Sequence, residues 1–185
     1  MKNHRLIQLI LLSKLLFVIP LFAQDIRFEH ISVENGLSNN HVLCILQDSI
    51  GILWVGTING LNKYDGYNFT VYRHDPGDPK SLSNNYVKTI FEDKSGILWV
   101  GTYGGGLNRF NRETDQFTHY QHDSDDLNSL SNRNVRTIFE DNSGILWIGT
   151  QGGGVNKFDR EIEQFTRYLH DPNDPFSLSN NYVKT

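Results

Sequence analysis

The sequence predicts an all-β chain of repeated four-stranded units, and three observations carry that expectation. One short phrase with a central tryptophan occurs three times, as Gly51-Ile-Leu-Trp-Val-Gly-Thr57, Gly96-Ile-Leu-Trp-Val-Gly-Thr102 and Gly144-Ile-Leu-Trp-Ile-Gly-Thr150. Its tryptophans, Trp54, Trp99 and Trp147, lie 45 and 48 residues apart, a period typical of stacked or radially repeated modules. Between them run short segments rich in β-branched and aromatic residues, bounded by Gly, Asn and Asp. Four such strands per repeat is a propeller-blade pattern. The expected fold is a partial β-propeller of about three four-stranded blades.

The middle repeat shows each element. Tyr86-Val-Lys-Thr-Ile-Phe-Glu92 suits a first strand, and Asp93-Lys-Ser-Gly96 a turn. Ile97-Leu-Trp-Val100 is a short unbroken apolar run, suited to a strand covered on both faces. Its length and the flanking Gly96 and Gly101 favour strand over buried helix. Tyr103-Gly-Gly-Gly106 breaks the chain, Leu107-Asn-Arg-Phe110 forms a third strand and Asn111-Arg-Glu-Thr-Asp115 turns it back. Gln116-Phe-Thr-His-Tyr120 is the fourth, and a polar stretch from His122 to Ser131 leads onward. The first repeat is shorter, losing residues only in turns; there Asp65-Gly66 suits a tight two-residue hairpin. Trp54, Trp99 and Trp147 are the expected structural residues, each buried only if a neighbouring blade covers it.

Residues 1–23 carry the marks of a signal peptide. Lys2 and Arg5 precede a mostly apolar span from Leu6 to Phe22, and Ala23 offers a small residue for cleavage. Lys14 and Pro20 weaken the rival reading of a membrane anchor. Residues 24–31 contain Phe28-Glu-His-Ile31, which matches the fourth strand of a blade (Phe117-Thr-His-Tyr120) and predicts the closing outer strand of a last blade whose other strands lie elsewhere. Blades are expected at 32–75, 76–123 and 124–171, with 172–185 starting a fourth. Because rings need about 4–8 blades, the chain reads as the front piece of a longer protein. A small protein that builds its ring from several copies is the alternative.

Composition narrows the function. Net charge is −4, and −7 once a leader holding three cations and no acid is removed. A moderately acidic chain gives no electrostatic footprint for nucleic acid. The single cysteine, Cys44, stands where the other repeats have Thr89 and Thr137 and reads as a buried inert thiol. The loops at His74-Asp75, His122-Asp123 and His170-Asp171 lack calcium-loop spacing and read as turns, so no metal is expected. The runs Gly104–Gly106 and Gly152–Gly154 lack the Lys and Ser/Thr of a phosphate loop. No catalytic constellation repeats and no cofactor is expected.

The string from Leu82 to Asp93, then Gly-Ile-Leu-Trp-Val-Gly-Thr, then Gly-Gly-Gly-Leu-Asn-Arg-Phe110, resembles the two-component regulator propeller repeat. It recurs from Leu130 to Phe158 and, more loosely, from Leu37 to Tyr64. The resemblance implies the periplasmic sensor region of a hybrid histidine kinase of the Bacteroidetes type. It further implies paired propellers, a membrane helix and a cytoplasmic kinase outside this chain, with carbohydrate breakdown products as signals. This chain itself is then not an enzyme.

Within the repeat, variation is orderly. After the constant Leu-Ser-Asn come Asn40-His41, Asn85-Tyr86, Arg133-Asn134 and Asn181-Tyr182; after Gly-Thr come Ile58, Tyr103 and Gln151. Strand direction puts both turns at one end of the blades. His41, Asn85, Tyr86, Tyr103, Arg133, Asn134 and Gln151 are therefore the candidate ligand-binding residues. Aromatic, amide and guanidinium groups suit a polar small molecule such as an oligosaccharide. The expected function is a periplasmic ligand-sensing ectodomain; a secreted interaction scaffold without a signalling partner is the alternative.

Overall fold

The computed structural model describes residues 27–184. It contains three antiparallel sheets, each of four strands in sequence order. The first holds β1 (Val42–Gln47), β2 (Leu53–Thr57), β3 (Gly60–Tyr64) and β4 (Phe69–Tyr72). The second holds β5 (Val87–Glu92), β6 (Leu98–Thr102), β7 (Gly106–Asn111) and β8 (Gln116–Tyr120). The third holds β9 (Val135–Glu140), β10 (Leu146–Thr150), β11 (Val155–Asp159) and β12 (Gln164–Tyr168). First strands pack on first strands, β1 on β5 and β5 on β9, so they form the inner edge around the axis. These are three blades of a β-propeller.

Two details differ from expectation. The second strand runs on through its glycine: Gly101 pairs with both Thr89 and Leu107. A Cβ there would lie 2.5 Å from Val135 Cγ1 and 2.6 Å from Thr89 Cγ2. Close approach of the next blade, not chain breaking, requires this glycine. The tight turn of the first blade is centred one residue later than Asp65-Gly66. Asp65 N–H donates to the Asn68 carbonyl at 3.3 Å, leaving Gly66, at φ 98°, and Tyr67 at the tip. The Asp65 carboxylate is instead the acceptor for the Tyr67 and Asn68 amides. Each sheet is supplied by one continuous repeat, and the first of them is preceded by a 3-10 turn at Val33–Asn35, capped by Ser32. The expected signal peptide, residues 1–23, and residues 24–26 lie outside the described residues.

Blades stack through the tryptophan face. Trp54 is fully buried and meets Phe110 of the second blade edge-on at 5.2 Å. Trp99 is 1% exposed and meets Phe158 of the third blade at 5.6 Å. A buried aromatic removes ~150–250 Å² from water, a gross gain of about 4–6 kcal/mol at ~25 cal/mol per Å². Trp147, on the outward face of the third blade, is only half-buried, and Phe139 on that face is 59% exposed.

A polar bracket crosses each blade junction at the far end from the Leu-Ser-Asn loops. Trp54 Nε1 donates to Asp48 Oδ2 at 2.8 Å, and Arg112 of the next blade reaches the same oxygen at 2.7 Å. Trp99, Asp93 and Arg160 repeat it at 2.7 and 3.1 Å. Each arginine also holds a glutamate of its own blade, Glu92 or Glu140. Further out, Tyr72 and Tyr120 donate to Asp115 and Glu163 of the following blade.

Candidate functional site at the loop end

A buried polar knot builds the opposite end of each blade. In the second blade Ser83 N–H donates to Asn108 Oδ1 at 3.0 Å, Asn108 Nδ2 donates to the Val100 carbonyl, and the Ser83 and Thr102 hydroxyls meet at 3.3 Å. Ser38, Thr57 and Asn62 form the same knot in the first blade, and Ser131, Thr150 and Asn156 in the third. The threonines and asparagines are 0% exposed. Fully satisfied buried hydrogen bonds of this kind fix one geometry. They explain the constant Leu-Ser-Asn and Gly-Thr of the repeat: these residues anchor, and their neighbours project.

The projecting residues fall into two groups. In one, the Asn85 carbonyl accepts from Gly60 of the preceding blade, and the Arg133 carbonyl accepts from Gly104 and Gly106. These main-chain bonds latch blade to blade. The Asn85 side chain is turned back into its loop, where Oδ1 accepts the His74 amide at 2.7 Å. Arg133 is exposed and lines an open polar depression of about 500 Å³ with Gln121, His122, Asp123 and Ser124.

The second group gathers where the inner strands begin. His41, Tyr86 and Asn134 occupy equivalent positions, each with its amide held by the asparagine two residues before. The turn residues sit between them. Tyr103 N–H donates to the Tyr86 carbonyl at 2.9 Å, and Tyr103 bridges to Asn134 of the next blade. Gln151 N–H donates to the Asn134 carbonyl, and Gln151 bridges to Tyr182. The rings of Tyr86 and Tyr103 lie 5.6 Å apart and are 36% and 42% exposed. His41, Tyr86, Tyr103, Asn134 and Gln151 thus form an arc of side chains around the mouth of the inner strands. Sequence reasoning missed a member of this neighbourhood: Arg136, whose Nη1 donates to Gln151 Oε1 at 3.1 Å and whose guanidinium lies 5.3 Å from the Tyr182 ring.

The histidine loops are held as turns. His74, His122 and His170 set Nδ1 against the carbonyls of Leu82, Leu130 and Leu178 at 2.6–3.0 Å. Asp75, Asp123 and Asp171 accept local amides. Cys44 faces Gly56 across the ladder, and burial pushes its thiol up to about 12, outweighing the Gly56 amide and the Lys88 charge. The thiol packs beside Gly56 and Val87.

The comparisons bear on the same segments. Residues 36–59, 81–104 and 129–152 match the family model described as the two component regulator propeller. The chain carries two-component regulator propeller repeats. Each matched window runs from the polar-knot loop to the turn that bears Ile58, Tyr103 or Gln151. The propeller repeats are similar to histidine kinase P4 of Formosa agariphila, at 41% identity over 81 residues, 44% of this chain and 6% of that kinase. They are also similar to the extracellular domain of a hybrid two component system of B. thetaiotaomicron, at 31% identity and TM-score 0.76, over 85% of this chain and 22% of that one. A further B. thetaiotaomicron ectodomain of this kind gives 27% identity and TM-score 0.67, over 86% of this chain and 23% of that one. The chain therefore spans less than a quarter of these relatives. Among the described residues no helix is long and apolar enough to cross a membrane.

Proposed function

We propose that the chain is the propeller portion of an exported, periplasmic ligand-sensing ectodomain of a two-component receptor, and that it senses a polar oligosaccharide-like molecule. The observation that carries the proposal is the arc of His41, Tyr86, Tyr103, Asn134 and Gln151. A rigid, repeated polar knot holds non-repeating side chains at one mouth. Paired tyrosines supply faces for stacking on sugar rings, and amides and imidazole supply directional donors and acceptors. The similar solved structures are extracellular domains of two-component systems, which favours this reading over a scaffold without a signalling partner. The chain binds and transmits; no reaction is assigned to it. Further blades of the parent protein are its partners, and the membrane and kinase are reached through them.

The test is calorimetry of the full-length exported product against a panel of neutral oligosaccharides of varied linkage. Saturable binding of at least one, weakened by substitution in the arc, is expected. No saturable heat across the panel, with the protein folded, sinks the oligosaccharide assignment.

A further inference from the structure

The inner strands carry a feature the repeat pattern conceals. In each first strand the ladder skips one residue. Val87 pairs with Thr102 and Thr89 with Gly101, leaving Lys88 without a partner position. The same shift leaves Leu43 unpaired in β1 and Arg136 in β9. A bulge re-aims the extra side chain and is a common device beside binding sites. These bulges lie two residues beyond the arc positions His41, Tyr86 and Asn134, on the strands nearest the axis. The residue in the same place after Tyr182 is Lys184. Three successive repeats therefore present a cation just inside the mouth.

These cations differ from the arginines that join the blades. Arg109, Arg112 and Arg160 each hold a carboxylate at 3.1 Å or less. Among the described residues, Lys88, Arg136 and Lys184 take part in no ion pair. Lys88 and Arg136 are half-buried, where like charges without counter-ions cost free energy that an anion would relieve. Arg136 and Lys184 flank one aromatic ring, at 5.3 and 5.6 Å from the centroid of Tyr182. Arg136 spends one N–H on Gln151, and its fork has further donors. The loop aspartates at this end, such as Asp75 and Asp123, point their carboxylates at their own backbone amides.

We infer that the bulged cations Lys88 and Arg136, with Lys184, form an anion subsite at the mouth, and that the sensed saccharide carries a carboxylate or sulfate group. This rests on the oligosaccharide reading above and deepens it. Tyr86 and Tyr103 stack on sugar rings, while Arg136 and Lys88 take the charged substituent, with charge-assisted bonds about twice as strong as neutral ones.

The experiment uses the full-length exported product and matched pairs: galacturonate against galactose oligomers, and sulfated against unsulfated galactan oligomers, titrated at two salt concentrations. The acidic member of one pair is expected to bind about tenfold tighter at low salt, as one or two charge-assisted bonds would give. The advantage should shrink as salt rises. Which pair shows it separates carboxylate from sulfate. Arg136→Gln with Lys88→Gln should abolish the discrimination, bringing the acidic and neutral members to equal affinity. A second readout is independent of sugar: inorganic sulfate should shift the NMR signal of the Arg136 side-chain N–H in the parent protein. If no oligosaccharide binds but sulfate shifts Arg136, the oligosaccharide reading fails and the anion subsite stands. Equal binding of acidic and neutral members, or discrimination that survives the double substitution, overturns the anion subsite. So does an Arg136 signal that sulfate leaves unmoved.

Discussion

Asp93→Asn tests whether blades are joined by the tryptophan–aspartate–arginine bracket. The Asp93 side chain is 0% exposed. It accepts Trp99 Nε1 at 2.7 Å and the Ser95 and Ile97 amides at 2.9 and 3.0 Å, and pairs with Arg160 at 3.1 Å. Three hydrogen bonds and an ion pair converge on one carboxylate. Asparagine keeps one acceptor oxygen, loses the charge, and turns an amide N–H₂ toward groups that are themselves donors. Removing one partner of a buried pair costs about 3–5 kcal/mol, and Arg160, 27% exposed, recovers part of this through water. About 3 kcal/mol is the expected loss, within the range for a charged hydrogen bond left unmade. The chain contains its own control. Asp141 accepts Trp147 Nε1 and the Ser143 and Ile145 amides in the same way, yet among the described residues it holds no arginine. In a polypeptide of residues 27–185 alone, Asp141→Asn should cost clearly less. Urea unfolding followed by tryptophan fluorescence measures both, and Arg160→Gln completes a double-substitution cycle with Asp93→Asn. Equal losses at Asp93 and Asp141, or no coupling between Asp93 and Arg160, would refute the bracket as an inter-blade joint.

Other outcomes follow from the same geometry. Trp99→Ala should cost about 3–5 kcal/mol through its cavity, since Trp99 is sealed between blades; a near-neutral change in urea unfolding would contradict that packing. At Asp48 burial works to raise the carboxyl, but bonds from Trp54, Arg112 and the Ile52 amide outweigh it and hold it below the usual value of 3.8. Its contribution is then fully present above that value and lost as pH falls through the lower folded one, so Asp48→Asn should flatten the acid limb of an unfolding-midpoint profile; an unchanged limb would count against it. Cys44, with its thiol pushed up to about 12, should resist alkylation at pH 8 until the fold opens; labelling at the rate of a free thiol in the native state would show that the β1–β2 ladder does not cover it.

Much of the scaffold was legible because it is local and repeated. Strands, tryptophan positions and turn-confined deletions follow from periodicity and turn chemistry within a few residues. The links between distant segments were not legible. Ser83, Thr102 and Asn108 read as unremarkable loop and strand residues, and only folding joins them across 25 positions. Arg112 reads as a turn residue, although it reaches Asp48 in the previous blade. Of the candidate site residues, Asn85 has its side-chain oxygen committed to its own loop, a role its place in the variable pair does not betray. Lys88 and Arg136 were hidden because period-two reading gives every strand residue a partner, and a bulge has no composition of its own. Their signal was present only as basic residues at one register in three repeats.

The most direct test of the central claim is a titration of the full-length protein, carrying Tyr86→Ala and Tyr103→Ala together, with the oligosaccharide identified by calorimetry of the unaltered protein. Both side chains are about two-fifths exposed at the mouth, so the fold should survive their loss. The account predicts an unchanged unfolding midpoint and a loss of affinity of about thirtyfold, as expected for two stacking contacts of about 1 kcal/mol each. Affinity equal to that of the unaltered protein, with the fold intact, would place the ligand elsewhere.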